Sequence, residues 1–138
     1  NTNSWYSKLS VPVGPKPLEI GRGRVTDETA KVRLRVEDHP LLSWPHSIGQ
    51  HDFRDWVQER GLYFAESWDP ATYTPLLSLA DPGEDRQEGA LLAATHGRGT
   101  YVYTGLSFFR QLPAGVRGAA RLFVNILSYP FADRSASN

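Results

Sequence analysis

The sequence predicts an α/β domain in which short strands, an antiparallel hairpin and a closing C-terminal helix pack in layers. Three patterns of apolar residues support this fold class. Apolar and basic side chains alternate over residues 31–36, and two strand-like runs at 90–95 and 100–106 flank a short glycine-bearing segment. Residues 113–128 repeat apolar side chains at the spacing of a helix.

The length and composition of the chain are those of a single globular domain and exclude several kinds of site. The chain has 138 residues, of which 40% are hydrophobic and 22% charged, as is typical of one globular domain. Fifteen basic and fifteen acidic side chains balance, so neither a nucleic-acid nor an anionic-membrane partner is indicated. No window is apolar enough to predict a membrane span. The lack of cysteine excludes disulfides, a cysteine nucleophile and thiolate metal sites.

The N-terminal part predicts an extended arm. Pro12, Pro15 and Pro17 prevent a helix and disfavour a central strand, so we assign residues 1–30 to the arm and residues 31–138 to a single α/β domain. The chain begins with Asn1 and has no methionine. We therefore expect a processed protein or a piece of a larger one.

The first regular elements of the domain are a strand and a short helix. Residues 31–36 predict a half-exposed strand that ends at Asp38-His39-Pro40. Residues 52–60 predict a helix, because Asp52 is a suitable N-terminal cap and Gly61 suits a left-handed exit. The inward face of this helix is predicted to carry Phe53, Trp56, Val57 and Arg60.

Further along, residues 62–65 and 74–79 predict two short strands, and residues 90–95 and 100–106 predict the hairpin. The closing helix is predicted over residues 113–128 and is stopped by Pro130. Gly115 and Gly118 lower helix propensity, so we expect their first turn to approach a neighbouring backbone closely. The predicted apolar stripe of this helix is Val116, Ala119, Ala120, Phe123, Ile126 and Leu127.

Motifs for common catalytic chemistry are missing from the sequence. It has no Gly-x-Ser-x-Gly nucleophile turn, no phosphate-binding loop and no zinc-type spacing of its histidines. His46, His51 and Asp52 are near one another in sequence, and Asp38 adjoins His39, but we expect polar structural roles for these residues. We accordingly predict no catalytic residue and no metal ligand.

Aromatic residues and carboxylates occur together between residues 56 and 73, a composition that can stack on sugar rings and bind their hydroxyl groups. The competing interpretation is that these aromatic residues belong to the core. Arg110 follows two phenylalanines at a strand-to-helix junction, where it either clamps an anion or satisfies loop carbonyls. The predicted ligand surface comprises Trp56, Glu59, Arg60, Trp68 and Arg110.

Several segments resemble the C-terminal region of large bacterial PIG-L/LmbE-type deacetylases. These segments are residues 24–28, 39–42, 52–64, 97–106, 108–115 and 125–127. The resemblance covers most of the chain, from residue 24 to residue 128. It implies a flavodoxin-like module similar to class I glutamine amidotransferases, of which this chain would be the later part. The implied fold is a partial flavodoxin-like sheet with an antiparallel hairpin and a C-terminal helix.

The resemblance transfers no catalytic residue. The family's zinc-dependent deacetylase centre lies in an N-terminal domain with a His-Pro-Asp-Asp type motif, which this chain lacks, so zinc is expected only in that other domain. The amidotransferase Cys–His–Glu triad is excluded by the lack of cysteine. The expected function is a non-catalytic accessory module of a sugar-directed N-deacetylase, which packs on the parent's catalytic domain or binds glycan.

Two other functions compete with this expectation. The first is a processed, free-standing protein that binds carbohydrate or self-associates through open sheet edges. The second is a small hydrolase that uses Glu59, Asp69 or His96.

Overall fold

The computed structural model describes residues 14–132, which form three small antiparallel sheets and a C-terminal helix in a mixed α/β arrangement. The strands are β1 (Glu19–Val25), β2 (Val32–Leu34), β3 (Gly61–Ser67), β4 (Thr74–Pro75), β5 (Leu77–Leu79), β6 (Leu91–His96) and β7 (Gly99–Thr104). The helices are α1 (Pro40–Ser43), α2 (Phe108–Gln111) and α3 (Arg117–Ser128), with 3₁₀ helices at Gln50–Phe53 and Tyr129–Phe131.

The three sheets pair β1 with β3, β2 with β5, and β4 with β6 and β7. The β6–β7 hairpin runs in continuous register from Leu91 opposite Thr104 to His96 opposite Gly99. Gly97 in its turn has a φ of 59°, a left-handed conformation that glycine adopts without strain. The predicted hairpin is therefore confirmed.

Strand β1 corrects the prediction that regular structure begins near Lys31. Residues 1–13 of the predicted arm lie outside the described residues, but Glu19–Val25 pairs with β3 through an irregular, bulged ladder. The sequence gives no clear strand signal here because of Gly21 and Gly23. Glycine has low strand propensity, and without a side chain it cannot contribute to an alternation of apolar and polar residues.

The predicted strand at 74–79 is divided between two sheets. β4 pairs with β6, whereas β5 pairs with β2. Between them Leu76 is fully buried, and its N–H donates to the carbonyl of Leu91 over 3.0 Å. The chain thus passes from one sheet to another at Leu76, and this short segment joins the two.

The predicted helix at 52–60 is wrong, because the helical turn stops at Phe53. The N-cap of this turn is Gly49 rather than Asp52, which is its third residue, although the carboxylate of Asp52 accepts from the N–H of Gly49 over 2.9 Å. The backbone then turns left-handed at Asp55 (φ 59°) and Gln58 (φ 67°), which no α-helix tolerates. Residues 54–60 consequently form an irregular segment that leads into β3.

The closing helix ends at Ser128 as predicted but begins at Arg117, because Gly115 (φ 73°) interrupts the preceding turn. Its buried face carries Ala119, Leu122 and Asn125. The predicted stripe was wrong at Ala120 and Leu127, which are exposed. Close approach to a neighbouring backbone is confirmed at Gly118, where an added Cβ would lie 1.9 Å from the carbonyl oxygen of Asp52, and is wrong at Gly115, where an added Cβ would have no atom within 4 Å.

Two apolar clusters cover opposite faces of β6. Leu91 and Ala93 belong to the larger cluster, which includes Trp56 and the buried side of α3. Leu92 and Ala94 belong to the smaller cluster, because successive side chains of a strand point to opposite faces. Across residues 14–132, no helix combines the length and apolarity required to span a bilayer.

Candidate functional site

A cleft of about 500 Å³ separates the connection between β1 and β2 from the irregular segment before β3. Residues 28–32 form one wall, residues 50 and 53–56 form the other, and Arg60 lies between them. Two members of the predicted ligand surface, Trp56 and Arg60, therefore line the same cavity.

Arg60 joins the two walls of this cleft. Its side chain is buried, with only 4% of the residue exposed. Nε and Nη2 donate to the carbonyl oxygen of Ala30 over 3.1 and 2.8 Å, and Nη1 donates to the carbonyl oxygen of Phe53. Because Ala30 and Phe53 belong to opposite walls, one guanidinium sets the spacing between them.

The charged guanidinium of Arg60 makes direct contacts with backbone carbonyls and aromatic rings. Its guanidinium carbon lies 5.9 Å from the ring centroid of Phe53 and 5.7 Å from that of Trp56. Burial lowers the pKa of Arg60 to about 10, against the opposing influence of Asp27 and Glu28. Within residues 14–132 no carboxylate forms an ion pair with Arg60.

Trp56 is principally a core residue. Only 3% of it is exposed, its indole N–H donates to the carbonyl of Asp52 over 2.9 Å, and its ring packs against Phe53 and Phe108. A broad face for stacking on a sugar ring is therefore not available at Trp56. The core interpretation of the aromatic residues is confirmed at this position.

The rim of the cleft consists of charged side chains that sequence reasoning did not single out. These are Glu28, Lys31, Arg54 and Asp55, all of them exposed. Gln50 spans the cleft as Arg60 does, because its Nε2 donates to the carbonyl of Val32 over 2.6 Å. The one sequence signal at this rim is Asp55, since aspartate tolerates a left-handed backbone better than most residues.

Glu59 and Arg110 form a separate pair. Nε of Arg110 lies 2.5 Å from Oε1 of Glu59, and the guanidinium carbon of Arg110 lies 4.9 Å from the ring centroid of the exposed Phe109. Neither partner lines the cleft. Trp68 packs against the smaller apolar cluster. The structure thus joins Trp56 with Arg60 and Glu59 with Arg110, and the five-residue ligand surface stays a prediction.

Gln111 is a positioning residue that sequence reasoning missed beside Arg110. It is fully buried, its Oε1 accepts from the N–H of Val57 over 2.8 Å, and its Nε2 donates to the carbonyl of Val57 over 2.9 Å and to that of Glu59 over 3.2 Å. Ser107 adds a bond to the carbonyl of Glu59 over 2.7 Å. These side chains secure the backbone between Trp56 and Arg60.

The residues of the hydrolase alternative are not linked to one another. Hydrogen bonds from Thr72 and Ala71 lower the pKa of Asp69 in a surface turn, Glu59 is paired with Arg110, and His96 ends β6. No hydrogen bond or ion pair joins any two of Glu59, Asp69 and His96 in the described part of the chain.

A zinc ligand set is not assembled by the residues that the structure describes, because nowhere in 14–132 do three or more histidine or carboxylate side chains cluster for a metal ion. Comparison with protein-family models, curated proteins and solved structures finds no match for the chain.

Proposed function

We propose that the chain is a non-catalytic accessory module of a sugar-directed PIG-L-type N-deacetylase and that it binds glycan in the cleft. The observation that carries the binding proposal is the cleft itself: its volume of about 500 Å³ lies within the range of small-molecule sites. The deacetylase context comes from the sequence resemblance alone.

The chemistry of the rim suits a polyhydroxylated ligand. The carboxylates of Glu28 and Asp55 accept hydrogen bonds from hydroxyl groups, while Lys31 and Arg54 donate to them. A sugar hydroxyl does both, so a rim with two acidic and two basic side chains offers partners to successive hydroxyls.

Preorganisation supports the same proposal. Arg60 and Gln50 bind backbone carbonyls across the cleft, so its walls are connected before any ligand arrives. A ligand that enters a preformed site loses less binding free energy to the ordering of protein groups.

The binding proposal is tested by calorimetric titration with N-acetylglucosamine oligomers. Glu28→Gln and Asp55→Asn each remove a charge-assisted acceptor, and asparagine tolerates the left-handed backbone of Asp55. We expect each substitution to weaken binding about fivefold or more, since a hydrogen bond to a charged group contributes about 1 kcal/mol more than one to the neutral amide that replaces it. Arg98→Gln, at the exposed hairpin turn, is the matched control. No binding by the unsubstituted chain, or equal binding by all variants, would contradict the proposal.

The flavodoxin-like part of the proposal has a structural requirement. Such a sheet is doubly wound and parallel, whereas every ladder within residues 14–132 is antiparallel. The parallel strands would therefore have to come from other parts of the parent protein. Mass measurement and terminal sequencing of the natural polypeptide test this requirement. A longer chain with an upstream His-Pro-Asp-Asp motif supports it, and a natural chain that begins at Asn1 contradicts it.

A further inference from the structure

A second cavity, of about 280 Å³, adjoins the cleft. Arg54 and Asp55 line both cavities and form the boundary between them. On its other side the second cavity is bounded by the first 3₁₀ helix and the first two turns of α3. The residues that line it are His51, Asp52, Arg54, Asp55, Arg117, Gly118 and Arg121.

This second cavity carries more positive than negative charge. Three arginines and two aspartates line it, which leaves a positive excess without counting His51. Asp52 is buried and already bound, because its Oδ1 accepts from Nε of Arg121 over 2.8 Å and its Oδ2 accepts from the N–H of Gly49 over 2.9 Å. The negative charge of Asp52 is therefore paired with the positive charge of Arg121 inside the protein.

With Asp52 paired to Arg121, the charges that remain are those of Arg54, Arg117 and Asp55, a net excess of one positive charge. The side chains of Arg54 and Arg117 are exposed, and neither makes an ion pair within residues 14–132. Arginine binds carboxylates and sulfates through two parallel N–H···O bonds, so two unpaired arginines on one concave surface suit an anionic group.

We propose that the second cavity binds the acidic substituent, a carboxylate or a sulfate, of a glycan whose sugar rings occupy the cleft. This inference rests on the proposed function and specifies its ligand as an acidic glycan. Arg54 lies at the junction of the two cavities and contacts both parts of the ligand. Arg117 contacts only the acidic group, because it lines the second cavity and not the cleft.

The test compares matched oligosaccharides. The chain is titrated with an N-acetylglucosamine tetramer, with a hyaluronan tetrasaccharide that carries carboxylates, with a heparin-derived tetrasaccharide that carries sulfates, and with inorganic sulfate. We expect at least one acidic tetrasaccharide to bind about tenfold more tightly than the neutral tetramer, with an affinity that decreases as salt increases. The identity of the stronger acidic ligand distinguishes carboxylate from sulfate.

Variants assign the preference to the second cavity. Arg117→Gln is expected to abolish the tenfold preference while leaving the affinity for the neutral tetramer unchanged, and Arg98→Gln is expected to change neither. Thermal unfolding of both variants checks that the fold is retained. Equal affinities for neutral and acidic tetrasaccharides, a preference that survives Arg117→Gln, or binding of sulfate without any glycan preference would overturn this inference while the proposed function stands. Binding of no tetrasaccharide would overturn both.

Discussion

Replacing Arg60 by methionine tests whether its guanidinium holds the walls of the cleft together. Methionine retains a long apolar side chain against Phe53 and Trp56 but removes all three hydrogen bonds to the carbonyls of Ala30 and Phe53. Two buried carbonyls that lose their donors cost about 1–3 kcal/mol each. Removing the cation also relieves its desolvation penalty, which offsets part of this cost. We expect the free energy of unfolding to fall by about 3 kcal/mol.

The assay is urea unfolding followed by the fluorescence of the four tryptophans. With an m-value of about 2 kcal/mol/M, the loss lowers the midpoint by roughly 1.5 M. Arg60→Lys keeps the cation with fewer fixed donors, so its midpoint is expected between those of the methionine variant and the unsubstituted chain. Arg98→Met, at an exposed turn, is the control and is expected to change stability by less than about 0.5 kcal/mol. A loss for Arg60→Met no larger than that of the control would refute this reasoning.

Three further predictions concern the elements around the cleft. Gly118→Ala places a Cβ against the carbonyl of Asp52, so we expect unfolding measurements to show a loss of about 2 kcal/mol despite the higher helix propensity of alanine. Asn125→Leu removes buried hydrogen bonds to Leu41 and to both backbone groups of His46, and a loss of about 3 kcal/mol is expected in the same assay. Burial lowers the pKa of His39 against the raising influence of Asp38, so the unfolded state binds more protons just below pH 6.5, and stability is expected to fall as the pH drops below that value.

Each of these three has a contradicting result. For Gly118→Ala, a stability gain would mean that helix propensity outweighs the close contact. For Asn125→Leu, unchanged stability would mean that its bonds are replaced by water. For His39, the comparison is a pH series of the His39→Gln variant, whose stability is expected to vary less between pH 5 and 7. An identical pH dependence in the two chains would exclude His39 as its source.

Elements that depend on neighbours in the sequence were predicted well. The β6–β7 hairpin follows from two apolar runs on either side of a glycine turn, and its ladder forms without interruption. The end of α3 at Ser128 follows from the proline two residues later. Both features arise from local preferences of the backbone and side chains, which the sequence carries directly.

Elements that depend on distant partners were not predicted. Strand β1 contains two glycines and shows no strand pattern in the sequence, and it forms by pairing with the distant strand β3. Asp52 was predicted as the N-cap of a helix, but it is the third residue of a 3₁₀ turn that Gly49 caps, and the left-handed residue Asp55 follows that turn. The hydrogen bonds of Arg60 to Ala30 and of Gln111 to Val57 instead hold residues 54–60 in an irregular conformation.

The sequence by itself determined the α/β class, the hairpin, the closing helix and the presence of Trp56 and Arg60 in one segment. Only the tertiary structure decided that Trp56 is buried, that Glu59 pairs with Arg110 rather than facing the cleft, and that the rim consists of other charged residues. The physical reason is that side-chain hydrogen bonds to backbone carbonyls join the two walls, at 28–32 and at 50 and 53–56. Every residue has a backbone carbonyl, so the sequence does not show which carbonyls accept these bonds.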